Sequence, residues 1–221
     1  MKRLWCLVRM VAMGIKDKYA IVRVGSGWVK RIIEENHYLH RVSQTSYAFG
    51  LFERNTKDMV GAITYGNPGS PTVAPSICGE EERMEVIELK RLWTEDDTPT
   101  NTESWLIANS MKEVDKDIII SYADSDEDHV GTVYQATNWI YTGMSGGGTM
   151  WSVKDSNMHP RSLHNVYDTI DDAKEDLGDK LVQVEVSQKH RYVYFNCDKR
   201  RKRELMEKLK YEIKEYPKRE E

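Results

Sequence analysis

Ile118 to Gly143 reads IIISYADSDEDHVGTVYQATNWIYTG. Three β-branched isoleucines lead into Ser121, Tyr122, Ala123 and Asp124. An acidic turn follows, then His129, Gly131, Thr132, Tyr134, Gln135 and Asn138, and a second aromatic, β-branched run closes the stretch. This pattern predicts a buried strand, a polar loop, a short helix and another strand. Such a unit presents reactive side chains at the end of a sheet strand, where the sites of α/β sheets gather.

Outward from this stretch, hydrophobic runs alternate with helical spacing. Lys18 to Val24 reads as a strand, and Trp28 to His37 as a helix after the Gly25-Ser26-Gly27 break. Tyr47 to Glu53 and Met59 to Tyr65 form a predicted hairpin around Arg54 to Asp58. GNPGSPTVAPS is predicted loop, and MEVIELKRLW, from Met84 to Trp93, another strand. A helix follows Asp97 to Thr102, with Asn101 or Thr102 as cap and Glu103 in the first turn, where it suits the helix dipole. Met150 to Val153 reads as a strand, Arg161 to Gly178 as two helical pieces, Leu181 to Ser187 and Arg191 to Phe195 as paired strands, and Glu204 to Tyr216 as a charged helix. Hairpins come first and helical crossovers later, which predicts an α/β (α+β) chain with a mixed sheet covered by helices.

The 221 residues suit one such domain with a sizeable core. A net charge of -4 gives no overall reason to expect nucleic acid. The charge is uneven, however. Lys189, His190 and Arg191 precede a basic run, Lys199 to Arg203, and local basic clusters contact phosphate even on acidic proteins. Cys6, Cys78 and Cys197 are far apart and odd in number, which argues for a reduced, cytoplasmic setting and against a cysteine zinc site. The start, MKRLWCLVRMVAMG, is interrupted by Arg9 and too short to span a membrane. Residues 1–17 read as a leader, 18–198 as the domain and 199–221 as a charged C-terminal helix.

Asp124 and Tyr134 head the chemical candidates. A carboxylate and a phenol at one strand end can divide a base-and-acid task on an amine. The plain alternative is a turn cap and a packed tyrosine with its hydroxyl satisfied. Strict alternation puts Leu89, Arg91 and Trp93 on one face, so Arg91 needs a carboxylate or a ligand anion. Ser104 sits at a helix start, where free N–H groups accept an anion. His37 and His40, with Tyr38 and Arg41, form a second polar cluster suited to a base, a ligand or a phosphate contact.

Several ordered segments are similar to one family. SYADSDEDHVGTVYQATNWIYTG, with ELKRLW, NTESWLI, HYLHRV, YAFGLFE, VGAITYG and KHRYVYF, resembles the phage Mom DNA-modification proteins, divergent relatives of the GNAT acetyltransferase superfamily. The resemblance runs from about His37 to Phe195. It implies a GNAT-like, V-shaped, mostly antiparallel mixed sheet flanked by helices. It implies conversion of adenine in double-stranded DNA to an N6-carbamoylmethyl form that protects phage DNA from host restriction. The matching positions are Arg91, Ser104, Asp124 and Tyr134, with Asp124 as base and Tyr134 as proton donor or adenine contact.

The donor, acetyl-CoA or another acyl or glycine-derived molecule, would sit against Arg91, Asn101, Ser104, Gly131 and Thr132. The junction TPTNTES carries no glycine, which departs from the pyrophosphate loop of ordinary acetyltransferases. Iron binding is associated with the family, and His37, Tyr38 and His40 would carry it; Leu39 stands where the family pattern has Ser. Because a base inside a duplex is unreachable, the adenine would flip out and stack on Tyr38, Tyr122 or Trp151. DNA would be held by Tyr38, His40, Arg41, Tyr122, Lys189, His190, Arg191, Lys199 and Arg200. No membrane partner is expected, and a homodimer is compatible with the sequence. The alternative is a GNAT-type N-acyltransferase acting on a small-molecule or protein amine.

Overall fold

The computed structural model describes residues 14–37, 44–125, 129–156, 163 and 166–218. The expected leader, the segment Tyr38 to Ser43 and Asp126 to Asp128 therefore fall wholly or largely outside the described residues. Strand β5, Ile118–Asp124, is the axis of the fold. Ile119 fills the core on one face, while Ile118 and Ile120 fill the core on the other. A strand covered on both faces has little use for the polar alternation of a surface strand, which is why its first half is continuously apolar.

A seven-stranded sheet has the order β1-β2-β3-β4-β5-β9-β6. Its members are β1 (Tyr19–Arg23), β2 (Tyr47–Glu53), β3 (Met59–Gly66), β4 (Val86–Thr94), β5, β6 (Ile140–Met144) and β9 (Lys189–Phe195). All neighbours are antiparallel except β4 and β5. A parallel pair needs a crossover, and α4 (Thr102–Ser110) supplies it. Leu106 and Ile107 of α4 join Tyr134 of α5 (Thr132–Ala136) in the core on one face. A short helix, α1 (Ile15–Lys18), precedes β1, and on the other face α2 (Ser26–Asn36) packs Val29 and Ile33 against Ala48 and Ala62. There too, α3 (Val73–Cys78) and α7 (Lys199–Lys208) bring Ile77 and Leu205 to Ile118, Ile120 and Val193. The mixed, mostly antiparallel sheet flanked by helices is as expected. Among the described residues no helix is long and apolar enough to cross a membrane.

Four local expectations are corrected. The segment expected to be loop after Gly66 contains α3; its Pro75 sits in the first turn, where a missing N–H leaves no hydrogen bond unmade. The strands expected to pair late do not pair with each other. Strand β8 (Leu181–Val186) joins β7 (Gly148–Val153) in a separate two-stranded sheet, while β9 inserts between β5 and β6. The small sheet has its own core of Leu163, Ala173 and Leu181, closed by α6 (Ile170–Leu177).

The strict alternation expected along β4 is broken by a bulge at Lys90. Leu89 pairs with Tyr65 and Arg91 with Thr64, so one extra residue shifts the phase of the pleat. Leu89 enters the α4-side core, and Arg91 shares the opposite side of the sheet with Thr64.

The charged C-terminal helix starts at Lys199, before Glu204, and ends at Lys208, well short of Tyr216. The Asp198 side chain caps it, accepting from the Arg200 and Arg201 amides. Beyond it the chain is an extended strap, because its backbone groups pair elsewhere. The Lys210 amide donates to Ile77 (2.8 Å) and the Lys214 amide to Tyr141 at the β6 edge (2.9 Å). Tyr211 hydrogen-bonds Ser76 on one face (2.5 Å), and Tyr216 donates to the Trp139 carbonyl on the other (2.7 Å). The strap thus wraps a sheet edge that would otherwise offer unpaired backbone. A chain ending at Leu209 is expected to lose a few kcal/mol, at about 1 kcal/mol per hydrogen bond. It should also aggregate sooner; urea unfolding with light scattering measures both.

Candidate active site

Strands β4 and β5 pair only over Val86–Glu88 and Ile118–Ile120. Beyond that point the Ser121 hydroxyl donates to the Leu89 carbonyl at 3.1 Å. A cleft of about 480 Å³ lies here. It falls within the roughly 300–1,000 Å³ usual for small-molecule sites. Its floor is Leu89, Ser121 and Tyr134; Trp93 and Tyr122 add aromatic surface; Asp96, Glu103 and Asp124 add carboxylates. Asp124 and Tyr134, a pair picked from sequence, line this one cleft, and Gly131, Thr132, Tyr122 and His37 line it too.

Asp124 is buried at the end of β5, opposite Lys189 in the β5–β9 register. Its carboxylate forms an ion pair with Lys189 and accepts from the Ser187 hydroxyl at 3.2 Å. The His129 amide donates to the Asp124 carbonyl at 3.1 Å. Tyr134 is held by Ser121, whose hydroxyl lies 2.8 Å from the phenol. Its ring makes tilted contacts with those of Trp139 (5.1 Å) and Tyr192 (5.2 Å). These contacts immobilise the phenol at the cleft floor.

The cleft wall at Val130 and Gly131 is fixed from behind. The Tyr192 hydroxyl donates to the Val130 carbonyl at 2.5 Å, and Gln135 Nε2 donates to that same carbonyl and to the Pro217 carbonyl of the strap, each at 3.2 Å. Burial pushes the Tyr192 phenol up to about 12, so it stays a donor at any working pH. Gly131 has φ 75, in the left-handed region, and a Cβ there would stand 2.5 Å from Tyr192.

Other sequence candidates lie elsewhere. Arg91 is buried and donates to the Lys90 carbonyl at 2.6 Å, but does not line the cleft. The Ser104 hydroxyl donates to the Asn101 carbonyl at 3.0 Å, and Asn101, at φ 71, makes no side-chain cap. Neither lines the cleft.

The expected phosphate contacts are largely engaged inside the fold. Lys189 pairs with Asp124, and His190 Nδ1 meets the Tyr141 hydroxyl at 2.9 Å, with burial lowering the imidazole pKa. Arg191 bonds Thr142 twice at 2.9 Å and stacks on Tyr211 at 3.4 Å. Lys199 and Arg200 are exposed, but on a helix that starts beyond Phe195, the β9 residue opposite Ile118. At about 3.3 Å per residue, that is the far end of β5 from Asp124, some 20 Å away. Trp151 lies in the small sheet beneath Lys174, away from the cleft lining.

Of the segment expected to hold iron, His37 is buried at the cleft; Tyr38 and His40, like Arg41, lie outside the described residues. Among the described residues no three His, Cys, Asp or Glu side chains gather as a metal centre needs. Two of the three expected iron ligands lie outside the described residues, and His37 by itself is no metal centre.

Sequence reasoning undervalued three cleft residues. Glu103 reads as a helix-dipole residue, yet it is half-buried at the cleft, and burial raises its carboxyl pKa against the nearby His129. Trp93 and Lys90 read as strand residues. The bulge turns Lys90 into an ion pair with Glu88 at 2.9 Å, with the lysine side chain only 7% exposed.

Comparison with known proteins places these features in a family context. Residues 18–218 match the model of the Mom protein family. The chain is 31% identical over 138 residues to the methylcarbamoylase Mom of Escherichia phage Mu, covering 59% of this chain and 56% of that protein. It thus spans just over half the length of that relative. Among solved structures it is similar to a putative acetyltransferase from Salmonella typhimurium, solved with its cofactor acetyl-CoA, at 8% identity and a TM-score of 0.46, covering 81% of this chain and 95% of that one. An N-acetyltransferase from Staphylococcus aureus is similar at 10% identity and a TM-score of 0.44, covering 81% and 99%.

Proposed function

The chain belongs to the Mom protein family, and from that premise we propose that it transfers a small carbon group to N6 of adenine in phage double-stranded DNA, as N6-carbamoylmethyladenine or a related N6-acyl or N6-alkyl form. The observation that carries this reading is one cleft, at the parting of β4 and β5, lined by both Asp124 and Tyr134. A planar purine swung out of the duplex suits its Trp93 and Tyr122 rings.

The chemistry asks for a group to take the N6 proton and a group to hold the ring. The adenine amine is a weak nucleophile because its lone pair is delocalised into the ring. Tyr134, immobilised by Ser121, Trp139 and Tyr192, is the hydrogen-bond donor or acceptor for the purine edge. Asp124, neutralised by Lys189, orients the amine by accepting one of its N–H bonds. The donor is an acyl or glycine-derived molecule, and Gly131 and Thr132 stand beside the place it would occupy.

The alternative substrate class is a cationic small-molecule or protein amine, favoured by the three carboxylates Asp96, Glu103 and Asp124 around the cleft. Salt-sensitive binding to duplex DNA separates the two, since phosphate contacts weaken steeply with salt.

The direct test is nucleoside mass spectrometry of plasmid DNA from cells expressing the protein. Wild type should yield a modified adenosine. Asp124→Asn and Tyr134→Phe should each reduce it by roughly 10²-fold or more. An unmodified profile with soluble wild-type protein present would remove this reading.

A further inference from the structure

Two carboxylates of the cleft are in different electrostatic states. Asp124 is already engaged on both oxygens, one by Lys189 and the other by Ser187. A carboxylate held by an ammonium group is a weakened base, because the cation stabilises its charged form. Glu103 lines the same cleft from the first turn of α4 and makes no hydrogen bond or ion pair among the described residues. Its lone pairs are available to a substrate proton.

We propose that Glu103, not Asp124, is the catalytic base that takes the proton from adenine N6. The proposal rests on the substrate reading above and adds to it the group that performs the proton transfer. In the step, the N6 lone pair forms the new N–C bond to an electrophilic donor carbon. The bond from that carbon to its leaving group breaks, and the electron pair departs with the leaving group. One N6 proton passes to a Glu103 oxygen and is then lost to solvent or to the leaving group, restoring the carboxylate. Asp124 remains an orienting acceptor.

The surroundings fit the assignment. Burial raises the Glu103 carboxyl pKa above its ordinary 4.5, which makes the carboxylate a better proton acceptor. The other titratable groups facing the cleft are His37 from α2, Lys90 from β4, Asp96 beyond it, Tyr122 and Asp124 from β5, His129 from the turn and Tyr134 from α5. Of these, His129 acts directly on Glu103, and in its cationic form it opposes the upward shift.

The test compares wild type, Glu103→Gln and Glu103→Asp. Full-length protein is incubated with plasmid DNA and a clarified extract of cells lacking the protein, as the source of donor, and N6-modified adenosine is quantified by mass spectrometry across pH. Wild-type rate should rise with pH through the raised carboxyl pKa and then level off. Glu103→Gln should lose roughly 10²-fold or more and show no such rise, with duplex affinity and urea midpoint unchanged. Glu103→Asp should recover part of the rate and the rise. A Glu103→Gln protein that modifies DNA at the wild-type rate, or keeps the same pH profile, overturns the proposal. If Glu103→Gln fails to fold, Glu103→Asp decides, because a shifted rise supports the base role and an unmoved profile overturns it. Wild type that leaves adenine unmodified overturns the substrate reading, and this assignment with it. Modification that survives Glu103→Gln overturns the assignment alone.

Discussion

Gly131→Ala should be less stable to urea than wild type by roughly 2–6 kcal/mol, and its DNA modification should fall by about 10-fold or more. Two costs add. Gly131 has φ 75, and holding a non-glycine residue in that region costs roughly 1–3 kcal/mol. The new Cβ would stand 2.5 Å from Tyr192 Cε2 and 3.0 Å from Tyr134 Cδ2, and overpacking of this kind costs roughly 1–3 kcal/mol. Both rings belong to the stack that holds the Tyr134 phenol at the cleft floor, so relief of the clash moves the site. Gly146 is the control: a Cβ there meets nothing within 4 Å. Gly146→Ala should be silent in both assays. Wild-type activity and stability in Gly131→Ala would show that the wall is not built as described.

Arg201→Met should destabilise the fold by about 3 kcal/mol, read as a shift in urea midpoint. Arg201 lies in a run of five basic residues, Lys199 to Arg203, that reads as a solvated face. Its guanidinium instead pairs with Glu82, bonds Asp117 at 2.8 Å and joins α7 to the turn before β4. The Glu82 side chain is only 6% exposed. Removing one partner of a buried pair costs about 3–5 kcal/mol, because the other charge stays desolvated. Lys208, 2.5 Å from Glu82, remains and holds the loss near the lower end.

The pH dependence follows from the same pair. Hydrogen bonding from Arg201 lowers the Glu82 carboxyl pKa below its ordinary 4.5. A carboxylate depressed in the folded state contributes stability that is present above its unfolded pKa. That contribution is lost as pH falls through the folded pKa. Wild type should therefore lose stability on acidification below about pH 4.5, and Arg201→Met should lose less over the same interval. The preceding residue gives the contrast: Arg200 is exposed, and Arg200→Met should change the midpoint by no more than about 0.5 kcal/mol.

Much of the architecture is legible in the chain because local periodicity encodes it. Isoleucines at 118–120 announce a strand covered on both faces, and the β2–β3 hairpin lies where turn residues interrupt two apolar runs. Asp124 and Tyr134 are legible as a pair because strand, turn and helix are contiguous, so few residues separate them. Glu103 is not, since a first-turn glutamate looks the same whether it faces water or a cleft.

What the sequence by itself determined is most of the elements, the mixed sheet, and the place of Asp124 at a strand end with Tyr134 on the helix that follows. These depend on side-chain period and turn chemistry, which act over a few residues. Only the tertiary structure decided which strand lies beside which, and so the insertion of β9 between β5 and β6 and the pairing of Lys189 with Asp124. Only it showed that the Lys90 bulge parts Leu89 from Arg91, that Arg201 pairs with the buried Glu82 and that the final residues strap the β6 edge. Those outcomes rest on contacts between residues far apart in the chain, whose energies depend on desolvation and fit that no local pattern carries.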